Sequence, residues 1–404
     1  MNVVFVSPQF PVEYWNFCDR LRANGCTVLG VGDAPYDSLH PGLRAALTEY
    51  FRVDDAEDYD QMLRACAYLT WRHGRIDWIE SNNEYWLETD ARLRSDFNVT
   101  TGVALAAAEP FKRKSAQKRV YAEAGVPCAR GGLVRDVGDA RELAAEIGWP
   151  LVAKPDVGVG AQGTRKLEGE DDLEAFLAAW SGEPYVLEEF IDAKAIWSYD
   201  AILDSRGEPL LESACVFPSS MMDVAGKGLD LAYHVRDVPP RLRRRGRAVA
   251  RAAGGSRRFV HLEFFKIGRG RRGLGSNGDF VGLETNMRPA GGRTPDMIDW
   301  AHSVDVYQAW ADMVVFDERR HPACGPDRLC AYAGRRDAHA YEHSAEEVLE
   351  AYGGALTLHE RVPQALSDDL GDECFVALFD DERQVREFTR FVQAPPRRGG
   401  RARA

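Results

Sequence analysis

The sequence predicts an α/β fold that turns α+β in its middle, on three observations. Short apolar runs alternate with amphipathic segments over roughly the first hundred residues. Strand-like runs then follow one another directly, at Tyr185 to Phe190 and Trp197 to Asp204, and again at Phe259 to Ile267 and Phe280 to Asn286. A last α/β segment extends to about residue 393.

The first segment reads strand (Val3 to Val6), helix (Val12 to Ala23) and strand (Thr27 to Gly32), and the alternation recurs at Arg75 to Glu80. Residues 1–108 are therefore expected to form a small doubly wound domain. A helix from Lys112 to Ala124 stops at Gly125-Val-Pro127, a C-terminal glycine with proline beyond it. A strand near Gly131 to Arg135, a helix from Asp139 to Ile147, a strand from Leu151 to Lys154 and a glycine-rich turn follow, then a helix from Asp171 to Trp180. Beyond the paired runs at 185–204, a basic helix is expected from Arg241 to Arg251. The last two strands are joined by Gly-Arg-Gly-Arg-Arg-Gly-Leu-Gly-Ser-Asn-Gly, which predicts a mobile hairpin tip. A helix is expected over Asp299 to Val315. The expected units are 109–315, divided into 109–190 and 191–315, an α/β extension at 316–393, and a polar, disordered tail at 394–404.

With 404 residues, 45% of them hydrophobic, the chain can build two or three cores. A formal charge of −12 argues against nucleic-acid and membrane-surface binding, which need a positive field. Small molecules are the expected partners. The eight cysteines show no two-residue spacing of a zinc or redox motif, and the start Met-Asn-Val-Val-Phe-Val lacks a basic n-region, so reduced thiols and a cytoplasmic location are expected. Only eight of the 51 cationic residues are lysine, which makes a lysine on an apolar strand conspicuous.

The chemistry concentrates in Glu284-Thr-Asn-Met-Arg288. Strand alternation puts Glu284, Asn286 and Arg288 on one face and Thr285 and Met287 on the other. On the neighbouring strand His261, Glu263 and Phe265 share a face, so Glu263 can meet Glu284 across the pair. Two adjacent carboxylates repel unless a cation lies between them. Mg²⁺ favours carboxylate, phosphate and water oxygens, so Glu263, Glu284 and Asn286 are candidate metal ligands against a nucleotide triphosphate. Arg288 is the candidate to neutralise a transferring phosphoryl group. The alternative is a solvated pair of edge strands, or an Arg288 salt bridge to one carboxylate, and a lone carboxylate would read that way; three polar residues at this alternation, followed by Pro-Ala-Gly-Gly, read as a site.

Gly158-Val-Gly160-Ala-Gln-Gly163 matches the dinucleotide fingerprint formally, but Thr-Arg-Lys-Leu after it continues extended rather than opening a helix. It lacks the Gly-Lys-Ser/Thr of a phosphate-binding Walker loop. What remains is a glycine loop able to cover phosphates. Lys154 ends the strand before it, within reach of a phosphate, and Lys114 can approach from its helix, although alone it reads as a surface residue. Tyr185-Val-Leu-Glu-Glu-Phe-Ile191 can seat an adenine through its backbone, or be a plain core strand.

In this order the pieces resemble the ATP-grasp superfamily, in particular its carboxylate–amine ligases such as L-amino-acid ligases and carnosine-synthase-like enzymes, over roughly residues 1 to 315. The resemblance implies an ATP-grasp fold with an N-terminal doubly wound domain and a C-terminal α/β extension. It makes Lys114 and Lys154 nucleotide lysines, Gly158, Gly160 and Gly163 part of a phosphate lid, and Glu188, Glu189 and Ile191 the adenine hinge, with Glu188 accepting from the adenine amino group. It implies ATP and two Mg²⁺ ions held by Glu263, Glu284 and Asn286, with Mn²⁺ as an expected substitute, and Arg288 on the transferred phosphate. Gly291, Gly292 and Arg293 would lie against the substrate, Arg293 pairing with its carboxylate; an ordinary surface turn is the alternative. The family usually carries a glutamate after the hinge for the ribose hydroxyls; here Asp192 is the available substitute.

The implied activity is ATP-dependent joining of a carboxylate, expected to be an amino acid, to an amine through an acyl phosphate. The partners are small molecules, with no nucleic acid or membrane, and a homodimer is allowed. The alternatives are a non-catalytic ATP-binding module and a biotin-carboxylase-like enzyme with another acceptor.

Overall fold

The computed structural model describes residues 1–158, 163–219, 224 and 228–396. Three sheets organise them. The first is parallel and contains β1 (Asn2–Val6), β2 (Thr27–Gly32), β3 (Glu49–Arg52) and β4 (Trp78–Glu80) in the order β3-β2-β1-β4. Val3, Val4, Phe5 and Val6 are all fully buried, as a parallel strand covered by helices on both faces requires.

The second sheet covers a cleft above the third. It contains β5 (Gly131–Val134), β6 (Leu151–Pro155), β7 (Arg165–Leu167) and β8 (Tyr185–Glu189) in the antiparallel order β5-β8-β6-β7. The third has eight strands: β9 (Ala193–Leu203), β10 (Pro209–Phe217), β11 (Ala232–Arg236), β12 (Arg258–Ile267), β13 (Phe280–Asn286), β14 (Leu329–Arg335), β15 (Leu356–Arg361) and β16 (Glu373–Phe379). Their order is β13-β12-β9-β10-β11-β14-β16-β15, so the strands after residue 316 continue the central sheet.

The structure departs from the sequence reading at several elements. The stretch expected as one helix over Asp299 to Val315 is two, Thr294–His302 and Val306–Phe316, broken at Ser303, whose φ is +52°. Asp305 caps the second by accepting from the Gln308 N–H at 2.7 Å. The helix expected from Lys112 divides at Arg113, and Lys114–Glu123 starts afresh. Its first turn is satisfied by Asp156 in the loop after β6: the Asp156 carbonyl accepts from the Lys114 N–H at 2.9 Å and its carboxylate from the Ser115 N–H at 2.8 Å. Lys114 and Lys154 are thereby held on one frame. Strands β3, β10 and β11 were not legible. β10 carries Glu212, Ser213 and Ala214, poor strand formers that become strand because β9 and β11 pair with both of its edges. At the hairpin tip Arg271 reaches Glu189, Nη2 to Oε2, at 2.7 Å.

The first sheet docks on the third through a buried ionic knot, in which Glu80 Oε2 accepts from Arg258 Nη2 at 2.7 Å and from Arg94 Nη2 at 3.1 Å. The chain passes between the covering sheet and the eight-stranded sheet at residues 126–130 and at 190–192. The end of β8, just before the second passage, touches the first: the Glu189 N–H donates to the Arg130 carbonyl at 2.8 Å. Among the described residues no helix is long and apolar enough to cross a membrane.

Candidate active site

Between the covering sheet and the eight-stranded sheet lies a cavity of about 1380 Å³. At one end it receives Lys154 from β6 and Glu188 from β8. Lys154 Nζ and Lys118 Nζ each lie 3.1 Å from Glu188 Oε1. Burial pushes the Glu188 carboxyl up, but the charges of Lys154 and Lys118 outweigh it and hold it below the usual carboxylate range. The carboxylate expected to accept from an adenine is therefore occupied by two ammoniums, because a buried charge needs compensation. Glu189 is likewise committed, accepting from the Arg130 N–H at 2.8 Å and pairing with Arg271. Ile191 is buried and lines the cavity, as does the exposed Asp192.

Gly158 offers its carbonyl to Lys114 Nζ at 3.0 Å. Gly163 has φ +71°, and a Cβ there would meet the Pro155 ring at 2.8 Å, so glycine is required twice over. Gly160 lies outside the described residues.

The acidic centre has the predicted register. Glu263 stands opposite Glu284 and His261 opposite Asn286, with a bulge just after Glu263. Glu284, Asn286 and Arg288 face the cavity, while Thr285 and Met287 are buried against other elements, Thr285 Oγ1 donating to the Pro110 carbonyl at 3.1 Å. Lys114 Nζ approaches Glu284 Oε1 to 3.2 Å. Burial, with Glu263 and Glu84 nearby, raises the Glu284 carboxyl against the pull of Lys114. Burial acts on Glu263 in the same sense, but His261 reverses it and the carboxyl is held low. Asn286 Oδ1 is buried without a hydrogen-bond partner. A pair of carboxylates and an orphaned carbonyl oxygen facing one cavity fit a hard divalent cation, while among the described residues no three His, Cys, Asp or Glu side chains form a cage by themselves. Such an open set suits Mg²⁺, which shares its coordination with phosphate and water.

Three participants were not identified from sequence. His261 bridges Asp200 Oδ1, 2.7 Å from its Nδ1, to Glu263 Oε1, 3.2 Å from its Nε2. Burial works against its charged form, yet Asp200 prevails and pushes the imidazole up to about 9. The signal was its position two residues before Glu263 on the same strand face. Glu84 takes both Nε and Nη2 of Arg288 on its Oε2, at 3.0 and 2.6 Å. The guanidinium assigned to a phosphoryl group is thus held by a carboxylate in this structure. Tyr14 lines the same wall. Tyr14 and Glu84 follow the carboxyl ends of β1 and β4, where parallel sheets place their ligands, and that rule was the available signal.

Gly291 and Gly292 line the cavity, but Arg293 does not. Its Nε and Nη2 each lie 2.6 Å from a Glu360 carboxylate oxygen, and Nη1 lies 3.1 Å from Asp296 and 3.6 Å from Glu13. Three carboxylates saturate it, so the expected pairing with a substrate carboxylate is replaced by a tie between the turn and β15.

Comparison with known proteins follows this geometry. The model of the carbamoyl-phosphate synthase L chain ATP-binding domain matches residues 113–194, the segment carrying Lys114, Lys154 and Glu188. The carbamoyl phosphate synthase large chain of Deinococcus radiodurans is 30% identical over 118 residues, 24% of this chain and 12% of that protein. The match therefore spans only about an eighth of the relative's length. The crystal structure of an L-amino acid ligase from Bacillus licheniformis superposes with a TM-score of 0.70 at 14% identity, covering 96% of both chains. The biotin carboxylase domain of Hydrogenobacter thermophilus 2-oxoglutarate carboxylase, solved with MgADP, ADP and bicarbonate, gives 0.62 at 16% identity over 97% of this chain and 89% of that one. With its three sheets and its ordered site residues, the chain has the ATP-grasp fold, and its residues 113–194 match the ATP-binding domain of the carbamoyl-phosphate synthase L chain.

Proposed function

We propose that the protein is an ADP-forming carboxylate–amine ligase. A substrate carboxylate oxygen attacks the γ-phosphorus of ATP, the bond to the β-phosphate oxygen breaks, and ADP leaves. The acyl phosphate then meets an amine, phosphate departs with the C–O bond electrons, and the amine proton is lost as the amide forms. The observation that carries this reading is the Glu263–Glu284 pair facing Lys114, with Asn286 Oδ1 unpartnered beside it, in the same cavity as Lys154 and the 190–192 passage. Phosphoryl transfer needs positioning and charge neutralisation more than a protein nucleophile, and this cavity supplies both.

In this reading Lys114 and Lys154 bind phosphates, Gly158 to Gly163 cover them, and Ile191 with its neighbouring backbone seats the adenine. Glu188 orients Lys154, with Lys118 as its second partner. Glu263, Glu284 and Asn286 hold Mg²⁺, which when bound neutralises phosphate charge; Mn²⁺, also at home among hard oxygen donors, is expected to replace it. Arg288, released from Glu84 or sharing it, faces the reacting phosphoryl group. Gly291 and Gly292 line the substrate side. The structural likeness to an L-amino acid ligase supports an amino-acid carboxylate.

The test incubates the protein with ATP, Mg²⁺ and amino acids taken in pairs, follows ADP and phosphate, and identifies products by mass spectrometry. Stoichiometric dipeptide and ADP support the reading; ATP binding without turnover for any pair overturns it. The likeness to a structure solved with bicarbonate favours a second reading, in which bicarbonate is phosphorylated. That reading requires ADP release driven by bicarbonate alone.

A further inference from the structure

The other face of the eight-stranded sheet carries a second cavity, of about 570 Å³, separate from the one just described. Its wall includes Trp197 of β9, His234 and Arg236 of β11, Lys266 of β12, Arg241 at the start of the helix Pro240–Ala252, and Glu382. Lys266 follows Phe265, which faces the first cavity, so alternation along β12 sends the two side chains to opposite faces.

Three independent features make this cavity anion-seeking in a chain whose net charge is −12. Cations outnumber acids on its wall. Arg236 pairs with Glu382, and Arg241 Nη1 lies 3.1 Å from Asp279 Oδ1. Lys266 has no carboxylate within ion-pair distance among the described residues, and its ammonium lies 4.3 Å from the centre of the Trp197 ring. Second, buried polar atoms here are orphaned: Trp197 Nε1, His234 Nε2 and Arg236 Nε have no partner, although Trp197 and His234 are only 5% and 9% exposed. Native proteins seldom leave such groups unsatisfied, and an indole N–H can be satisfied only by an acceptor. Third, the 13-residue helix begins on this wall with no side-chain cap and no acid in its first turn, so its positive end is uncompensated.

We propose that this cavity is a second ligand site, distinct from the acidic centre, that takes a small oxyanion, a carboxylate or a phosphate, between Lys266, Arg236 and the start of the helix, with Trp197 and Phe280 against its apolar part. The volume suits a small molecule rather than a polymer. Since Lys266 sits on the strand that carries Glu263, an occupant would bear on the acidic centre through β12.

Calorimetric titration of the full chain with inorganic phosphate and, separately, with benzoate, each with and without saturating MgADP, tests this. The expected result is one saturable site for at least one of the two anions that persists with MgADP present; which anion binds more tightly assigns the source. Lys266→Met and Trp197→Phe should each weaken it by ~10-fold, the loss of one charge-assisted or buried hydrogen bond, with MgADP affinity unchanged. Trp197→Phe removes the N–H together with part of a buried ring, so it is read beside Lys266→Met, which leaves the indole and its packing in place. Binding that MgADP abolishes belongs to the first cavity and overturns the proposal, as does binding that neither variant weakens, or no binding of either anion.

Discussion

Lys114 Nζ lies 3.2 Å from Oε1 of Glu284, so the ammonium carried by a helix stands directly against one carboxylate of the pair that two strands bring together. The helix that carries it is capped by Asp156, two residues beyond Lys154, and one loop thus aims both lysines. Replacing Glu284 by Gln keeps the shape, removes the charge and leaves Lys114 facing a neutral amide. ATP turnover should fall by ~10²-fold or more, the scale seen when one preorganised charge partner is lost, and extra Mg²⁺ should not restore it. Initial rates of ADP release across a Mg²⁺ series decide the matter, and near-normal turnover removes Glu284 from the metal set.

His261 spans Asp200 and Glu263 and so fixes where one carboxylate of the proposed metal set points. For His261→Ala the Mg²⁺ concentration giving half-maximal activity should rise roughly 10–100-fold, as when a ligand loses its supporting partner. If only the melting temperature moves while the Mg²⁺ curve stays put, His261 is a packing residue.

Arg293, held by Glu360, Asp296 and Glu13, is expected to matter for stability rather than for substrate affinity. Arg293→Met should lower unfolding free energy by about 1–3 kcal/mol, since it strands half-buried carboxylates. Denaturant melts and KM values read together separate the two roles, because a substrate-binding arginine would show the reverse pattern.

Burial lifts the Glu13 carboxyl from 4.5 to about 7, although Arg293 pulls it down. Between those values the folded chain keeps a proton that the unfolded chain has released. Its contribution to stability is therefore fully present below pH 4.5 and is lost as pH rises towards 7, on the order of 3 kcal/mol in all. Urea melts at a series of pH values should show this decline, and Glu13→Gln should flatten it; an unchanged slope in the variant disproves the assignment.

A Cβ at Gly282 would sit 2.3 Å from the Tyr121 ring, on the helix that bears Lys114. Gly282→Ala should cost about 1–3 kcal/mol through overpacking and raise the KM for ATP by displacing that helix. Thermal melts and nucleotide titrations check both; a lowered melting temperature with unchanged KM would confine the effect to packing.

Much of this site was legible because strand alternation is a local rule. Glu284, Asn286 and Arg288 share a face whatever the rest of the chain does, and their pairing with Glu263 needed only a hairpin between two clear strands. Long-range pairing was not legible: Arg288 meets Glu84 and Arg293 meets Glu360 across more than sixty residues, and no local pattern announces which carboxylate will take which guanidinium. β10 was missed for a related reason, since Glu212 and Ser213 are strand residues only by virtue of their neighbours on both sides. The helix break at Ser303 required a left-handed serine, which sequence favours weakly.

The two chain passages at 126–130 and 190–192, joined where Glu189 at the end of β8 bonds to Arg130, have a mechanical consequence. A double strap resists stretching and sideways shear far better than it resists rotation about its own width. The plate formed by β5 to β8 has a further tie at Asp156, which accepts from the Lys114 and Ser115 N–H groups, so turning the plate on its strap would pull on the helix that carries Lys114. Ile191 lies in that strap and lines the cavity, beside a frame pinned by Glu80 and Arg258.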